Sequence, residues 1–255
     1  MVAALGQSSW TTVILAALAV SLALGKAASG DFDWTVVPRH AAFFLRAFGE
    51  TLTLAVAAFG TSFGLGVLLA VGRLAGRPYW RYPALLTIEL FRALPLLMVV
   101  FWFYFMFPAL VGIHPSPYVS GILALTVCNA AYFAEIIAAG IIAIPRGQRE
   151  AALSTGLSFV QTILYVILPQ ALRHMIPPLL GQFVYLFKST SFVYIIGVVE
   201  FFRAATIVNN REFRSFEIFT FVALVYLVCC WLLSSASLLL ERRLGRATPR
   251  LYEVG

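Results

Sequence analysis

Four ionisable side chains interrupt runs that are otherwise apolar: Glu89, Arg92, Glu135 and Lys188. A charge in the hydrocarbon layer is costly, so such groups face protein or a water-filled cavity and find partners there. Glu89 lies one helical turn before Arg92 and can pair with it, and the four formal charges sum to zero. Counted at about 1.5 Å per residue from the ends of their runs, Arg92, Glu135 and Lys188 share one depth near mid-membrane. Two chemistries fit this pattern. The cluster is either an ion-pair network that holds helices together, or a relay in which the ammonium and carboxylate of a zwitterionic solute exchange places with internal partners. Asn129, Gln182, Ser189, Thr190 and Ser191 add hydrogen-bonding groups to the same runs.

The elements that must position these groups are helices long enough to cross a bilayer. The 255 residues are 61% hydrophobic and only 11% charged, with a mean hydropathy of +0.92. A soluble domain carries about 25% charged residues, so the composition predicts an integral membrane protein. Apolar runs at 8–25, 49–72, 85–107, 118–143, 176–199 and 216–240 predict six spans of an all-α bundle. The first run is read as a span, with a cleaved signal peptide as the alternative. The small residues Gly60, Gly64 and Gly66 read as a helix-packing face.

Charge sorts the loops. Arg73, Arg77, Arg81, Arg146, Arg149, Arg173, Arg242, Arg243, Arg246 and Arg250 fall on one side, ten in all. Lys26, Arg39, Arg46, Arg203, Arg211 and Arg214 fall on the other, six in all and partly offset by acidic residues. The positive-inside rule makes the first side, and both termini, cytoplasmic. That rule also accounts for the net charge of +7 without nucleic acid as a partner. On the opposite side, "HAAFFLRAF" (40–48) predicts a helix lying along the interface. Cys128, Cys229 and Cys230 sit in apolar runs without metal or redox spacing and read as small buried hydrophobes.

Between the fourth and fifth spans runs "IPRGQREAALSTGLSFVQTILYVILPQALRHMIPPLL". Gln148 to Leu153 are good helix formers, Ala151 and Ala152 permit close approach by another surface, and Gly156 permits a turn. A second helix over 157–168 is predicted to stop before Pro169. The pair is either a docking lever projecting from the bundle or a stabilising interfacial hairpin.

The spacing Glu150-Ala151-Ala152, three residues, Gly156, nine residues, then Val166-Ile167-Leu168-Pro169 resembles the EAA loop of ATP-binding-cassette importer permeases. Five stretches are similar to the polar-amino-acid branch of that family, of histidine, glutamine and glutamate/aspartate type. They are "ETLTLAVAAFGTSFGLGVLLAVGRL" (50–74), "IELFRALPLL" (88–97), "AAYFAEIIAAGI" (130–141), "GQREAALSTGLS" (147–158) and "KSTSFVYIIGVVEFFRAA" (188–205). Within the branch, "WFYFMFP" (102–108) and "FFRAATI" (201–207) look most like glutamate/aspartate permeases. The sequence departs from the family pattern at Val166 (usually isoleucine), Ala138 (usually arginine near this place) and Ser189 (often aspartate or asparagine).

The resemblance implies a type I importer permease fold in a bacterial inner membrane. It divides the chain into an N-terminal span with its external segment (1–47), a permease domain (48–243) holding the EAA loop at 145–170, and a tail (244–255). Gln148, Glu150, Ala151, Ala152 and Gly156 become the contacts to a cytosolic ATPase dimer. Arg92, Glu135, Lys188, Ser189 and Thr190 become candidates for the substrate pathway. The remaining implied partners are an extracytoplasmic amino-acid-binding protein, a second permease subunit (identical or homologous) and membrane lipid. No cofactor or metal is implied. The chain has no G-x-x-x-x-G-K-[ST] loop, so energy has to come from a partner.

The residues speak against two other classes. A secondary transporter driven by an ion gradient would show internal hydropathy repeats, and no convincing repeat relates the two halves. For an intramembrane enzyme, His40, His114 and His174 fall in loops, and neither H-E-x-x-H nor G-x-S-x-G occurs.

Overall fold

A computed structural model describes residues 32–243. The run at 8–25, as span or signal peptide, and the tail at 244–255 lie outside these residues. Among the described residues the chain is all helix and connecting loop. After a single turn, α1 (Val36–Arg39), come α2 (Ala41–Leu74), α3 (Pro78–Ala93), α4 (Leu96–Val111), α5 (Pro117–Ile142) and α6 (Arg146–Ser154). Then follow α7 (Phe159–Ile196, its last seven residues 3₁₀), α8 (Phe201–Glu212) and α9 (Ser215–Arg243).

Helices α2, α5, α7 and α9 are each long and apolar enough to cross a membrane, and α3 with α4 makes a fifth span broken by a bend of 109°. These match the five spans expected after the first. The break corrects the expectation of one continuous helix over 85–107. Pro95 disfavours helical geometry in the residue before it, and Leu94 is extended at φ −84°, ψ 138°.

The segment "HAAFFLRAF" does not form a separate interfacial helix. It is the first part of α2, which at 34 residues is about 51 Å long. Phe44 and Ala47 are buried against Phe201, Ala204 and Val208 of α8 and Ile218 and Val222 of α9. Burying that apolar face against protein is why the helix continues past the span.

The second helix of the connecting loop does not stop at Pro169 either. A proline inside a helix lacks an N–H and its ring strikes the carbonyl four residues back. Here the turn Thr162–Ile167 widens to π geometry, and the Leu168 N–H donates to the Ile163 carbonyl five residues earlier. The Gln170 side-chain amide then donates to the Val166 carbonyl at 2.8 Å. The same device recurs in α4, where the Phe107 N–H donates to the Trp102 carbonyl just before Pro108. In lipid every backbone group has to be satisfied within the protein, and the π turns let two spans keep their prolines.

Helices α2 and α5 form the most extensive seam, lined by Ala55, Ala58, Ala130 and Ala134. The backbones approach so closely at Gly66 that an added Cβ would stand 2.6 Å from the Phe133 Cβ and 3.1 Å from the Ala130 carbonyl oxygen. Gly60 and Gly64, expected on the same face, have open space where a side chain would go.

Gly66→Leu should therefore destabilise the purified protein by about 1–3 kcal/mol or more through overpacking, while Gly60→Leu leaves it near wild type. Thermal unfolding in detergent, followed by loss of the monodisperse chromatographic peak, checks the contrast. Equal effects at the two positions would contradict the seam.

Candidate functional site

At one end of the bundle α5 runs out at Ile142, and Pro145 precedes α6. Gly156 takes φ +85°, a left-handed conformation that residues with a Cβ adopt only under strain, and reverses the chain between α6 and α7. Ser158 then starts α7 with a capping box. Its hydroxyl accepts from the Gln161 N–H, and the Gln161 side chain accepts from the Ser158 N–H at 2.8 Å.

The two alanines of α6 point apart. Ala152 is buried where α6 packs on the π turn of α7, whereas Ala151, Gln148 and Glu150 are exposed. Exposed Leu153, Phe159, Val160 and Tyr165 border them, and the Arg149 guanidinium stacks over the Phe159 ring at 5.2 Å. The result is a short helix held rigidly on one side and offering small, charged and apolar groups on the other.

The intramembrane charges assemble differently from the expected single layer. Glu135 of α5 pairs with Arg92 of α3 at 3.4 Å and with Arg73 in the last turn of α2. Arg92 also reaches Glu89 at 3.6 Å and lies over the Tyr132 ring at 5.9 Å. By its place at the end of a run, Arg73 reads as a loop residue. A long guanidinium side chain reaches back along its own helix, and this reach is what sequence position leaves out. Arg92 stands near the end of α3, which is bent by 109° from α4 and does not continue it.

Lys188 is absent from this junction. It is exposed on α7, close to the Cys230 thiol of α9, and belongs to none of the described ion pairs. Ser189 and Thr190 beside it are buried, and their hydroxyls donate to the Tyr185 and Phe187 carbonyls of the same helix. That local bonding occupies their donors. Lys188 instead belongs to an exposed stripe of Gly181, Tyr185, Lys188, Phe192 and Ile195, at alternating four- and three-residue spacing. Deeper in the bundle Gln182 donates to Asn129 at 2.9 Å, and Thr61 meets Thr126 at 2.6 Å.

At the far end of the bundle, opposite α6, the structure assembles a polar group that sequence reasoning missed. Glu200 is fully buried and caps α8, accepting from the Phe202 N–H at 2.8 Å and the Arg203 N–H at 2.7 Å. Burial pushes its carboxyl up to about 7, against the pull of those two N–H groups and of the nearby Tyr226 hydroxyl. The only signal for it in the sequence was a glutamate one residue before a helix start. A groove of about 330 Å³ opens at this end, lined by Glu50, Ser116, Pro117, Tyr118 and Gly197 to Val199.

Comparison with known proteins agrees with this architecture. Residues 62–246 match the family model described as binding-protein-dependent transport system inner membrane component. The glutamate/aspartate import permease protein GltK of Escherichia coli O6:H1 is 36% identical over 218 residues, covering 83% of this chain and 96% of the relative. A probable glutamine ABC transporter permease protein, GlnP of Bacillus subtilis strain 168, is 36% identical over 216 residues, 84% of this chain and 99% of the relative. The solved structure of an amino acid ABC transporter with histidines superposes with a TM-score of 0.79 at 30% identity, covering 84% of this chain and all of that one.

The charge geometry makes a prediction of its own. In double-mutant cycles on thermal stability, Arg73→Met and Glu135→Gln should couple by about 0.5–3 kcal/mol, whereas Lys188→Met and Glu135→Gln should be additive within about 0.5 kcal/mol. Coupling between Lys188 and Glu135 as large as that of the first pair would contradict the separation.

Proposed function

The chain belongs to the binding-protein-dependent transport system inner membrane component family, and we propose that it is the permease subunit of an ATP-driven importer of polar amino acids. A member of this family is a transport component and not an enzyme. It works with an ATPase, a substrate-binding protein and another permease. The observation that carries the proposal furthest is the α6 turn, a rigid helix with an exposed Gln148–Glu150–Ala151 face hinged at Gly156. In the proposed reading this face inserts into the ATPase dimer in the cytoplasm, so that ATPase closure moves α5 and α7 directly. The arginines at this end of the bundle, and the charge bias they create, support placing it inside and both termini on the same side.

Substrate then crosses along the exposed face of α7. Lys188 is the one predicted pathway residue whose charge is both exposed and unmatched by any described ion pair. An unmatched ammonium is not left facing lipid. The seven-residue spacing of its stripe suits packing on a helix of the second permease subunit, with the ammonium directed at an anionic solute between them. Glutamate or aspartate is the class this favours, and the likeness to the import permease GltK supports it. Arg92 and Glu135 act in this reading as the joint that carries motion from α5 to α2 and α3.

The test is uptake into proteoliposomes holding permease, ATPase and binding protein, with a panel of labelled amino acids. Uptake should require ATP and prefer polar amino acids. Gly156→Asp and Glu150→Lys should leave the protein inserted and ATP hydrolysis running while uptake is lost. Lys188→Met should lower glutamate and aspartate uptake at least about tenfold, the effect of losing one favourable contact of about 1.4 kcal/mol. Coupled transport by both loop variants would overturn the coupling assignment. Unchanged acidic amino-acid uptake by Lys188→Met would overturn the pathway assignment.

A further inference from the structure

Glu200 is a charge-bearing side chain with no role in the transport reading above, and it is completely buried. It sits where four elements meet. Its carboxylate caps α8 through the Phe202 and Arg203 amides. The adjacent Phe201 N–H donates to the Thr51 hydroxyl of α2 at 3.0 Å. The Tyr226 hydroxyl of α9 faces both Glu200 and Thr190, and Thr190 opens the 3₁₀ turn at the end of α7. Yet that buried hydroxyl makes no hydrogen bond of good geometry. The Phe201 ring packs edge-on against Phe44, Phe48 and Phe221, so the first turn of α8 is wedged between α2 and α9.

The charged and titratable groups around this point are few. From α9 they are Tyr226 and, next to it, Cys230. From α7 there is Lys188, whose field reaches Cys230. From α8 there is Arg203, which contributes its backbone N–H, and from α2 Glu50 lines the nearby groove. No described ion pair includes Glu200. A buried carboxyl held by two backbone amides, with a hydroxyl facing it and no matching cation, is poised between its two protonation states.

We propose that Glu200 is a positioning residue whose proton sets how firmly α8 is held against the outer end of the Lys188–Thr190 segment. This rests on the reading of that segment as the substrate pathway and of this end as external. Displacing α8 would expose the carboxyl to water, where it returns to the ordinary carboxylate value of 4.5 from about 7 in the buried arrangement. The closed arrangement therefore binds the proton more tightly than the open one. Its extra stability is fully present below the open-state value and is lost as pH rises through about 7. An acidic exterior holds α8 down, and a neutral one frees it.

Hydrogen exchange of the intact transporter in lipid nanodiscs, read by mass spectrometry over residues 201–212 and corrected for the intrinsic pH dependence of exchange, tests this. Wild-type protection should fall at least about tenfold between about pH 5 and about pH 7.5, one unit of linkage being tenfold. Glu200→Gln, a permanent mimic of the neutral form, should stay protected throughout. Tyr226→Phe should keep the fold and move the midpoint upward, since it removes the hydroxyl dipole that faces the carboxyl and favours its charged form, and it serves if Glu200→Gln fails to insert. A flat wild-type profile, or a Glu200→Gln profile that still falls with pH, or an unmoved midpoint in Tyr226→Phe, overturns the proposal. Because exchange is read without substrate, failure of amino-acid uptake would sink the transport reading and leave this measurement to decide on Glu200.

Discussion

Glu135, an acidic side chain among apolar helices, is held by two arginines drawn from different helices. Breaking such a pair leaves an unmatched charge in a poorly solvated place, which costs more than the intact pair contributes. The junction therefore acts chiefly as a constraint on arrangement. Arg73 brings the end of α2 to α5, and Arg92 brings the end of α3 to the same atom. Eleven residues beyond Glu135 along the chain, Arg146 begins α6. A movement of α6 thus acts on a helix whose charge already ties two others to it.

The second constraint is the backbone. Proline would ordinarily end a helix, and in lipid a broken hydrogen-bond ladder has no water to complete it. The chain resolves this in two ways. Before Pro108 and Pro169 the helix widens into a π turn and continues. At Pro95 it does not continue, and the span bends by 109°. The bend tilts α3 so that Arg92 reaches Glu135 from the side, and the π turn before Pro169 offers the surface on which Ala152 of α6 is seated. Both parts of the α6 end depend on how a proline is accommodated.

Much of this was legible in the sequence, and the misses share a cause. Spans over 118–143 and 216–240 came within a few residues of α5 and α9, because apolar length alone defines a crossing. Gly156 was read as a turn, and it has positive φ. Partners across helices were not legible. Arg73 lies at the end of an apolar run and was counted as a loop charge, although its side chain is long enough to return to Glu135. Lys188 was placed with Glu135 by counting rise, which gives depth along an axis but neither tilt nor facing. Glu200 reads as an ordinary loop residue. Its burial follows from Phe201, Ala204 and Val208 docking on α2 and α9, a tertiary event that no local pattern announces.

The two ends of the bundle differ in how they hold charge, and this bears on how they move. At the α6 end, positive and negative groups are paired across helices and remain partly exposed. At the far end Glu200 is buried and bonded to backbone amides, an arrangement that is either made or broken. Helix α7 spans both, from the Ser158 cap beside α6 to the 3₁₀ turn beneath Tyr226. Its middle carries Pro177 and Pro178, where missing N–H groups weaken the ladder and permit bending. In the proposed coupling, a displacement entering at the Gly156 turn would be carried as a tilt of α7. In that reading the capped, wedged turn at Glu200 and Phe201 is what α8 would have to yield against for the tilt to reach the Lys188–Thr190 segment.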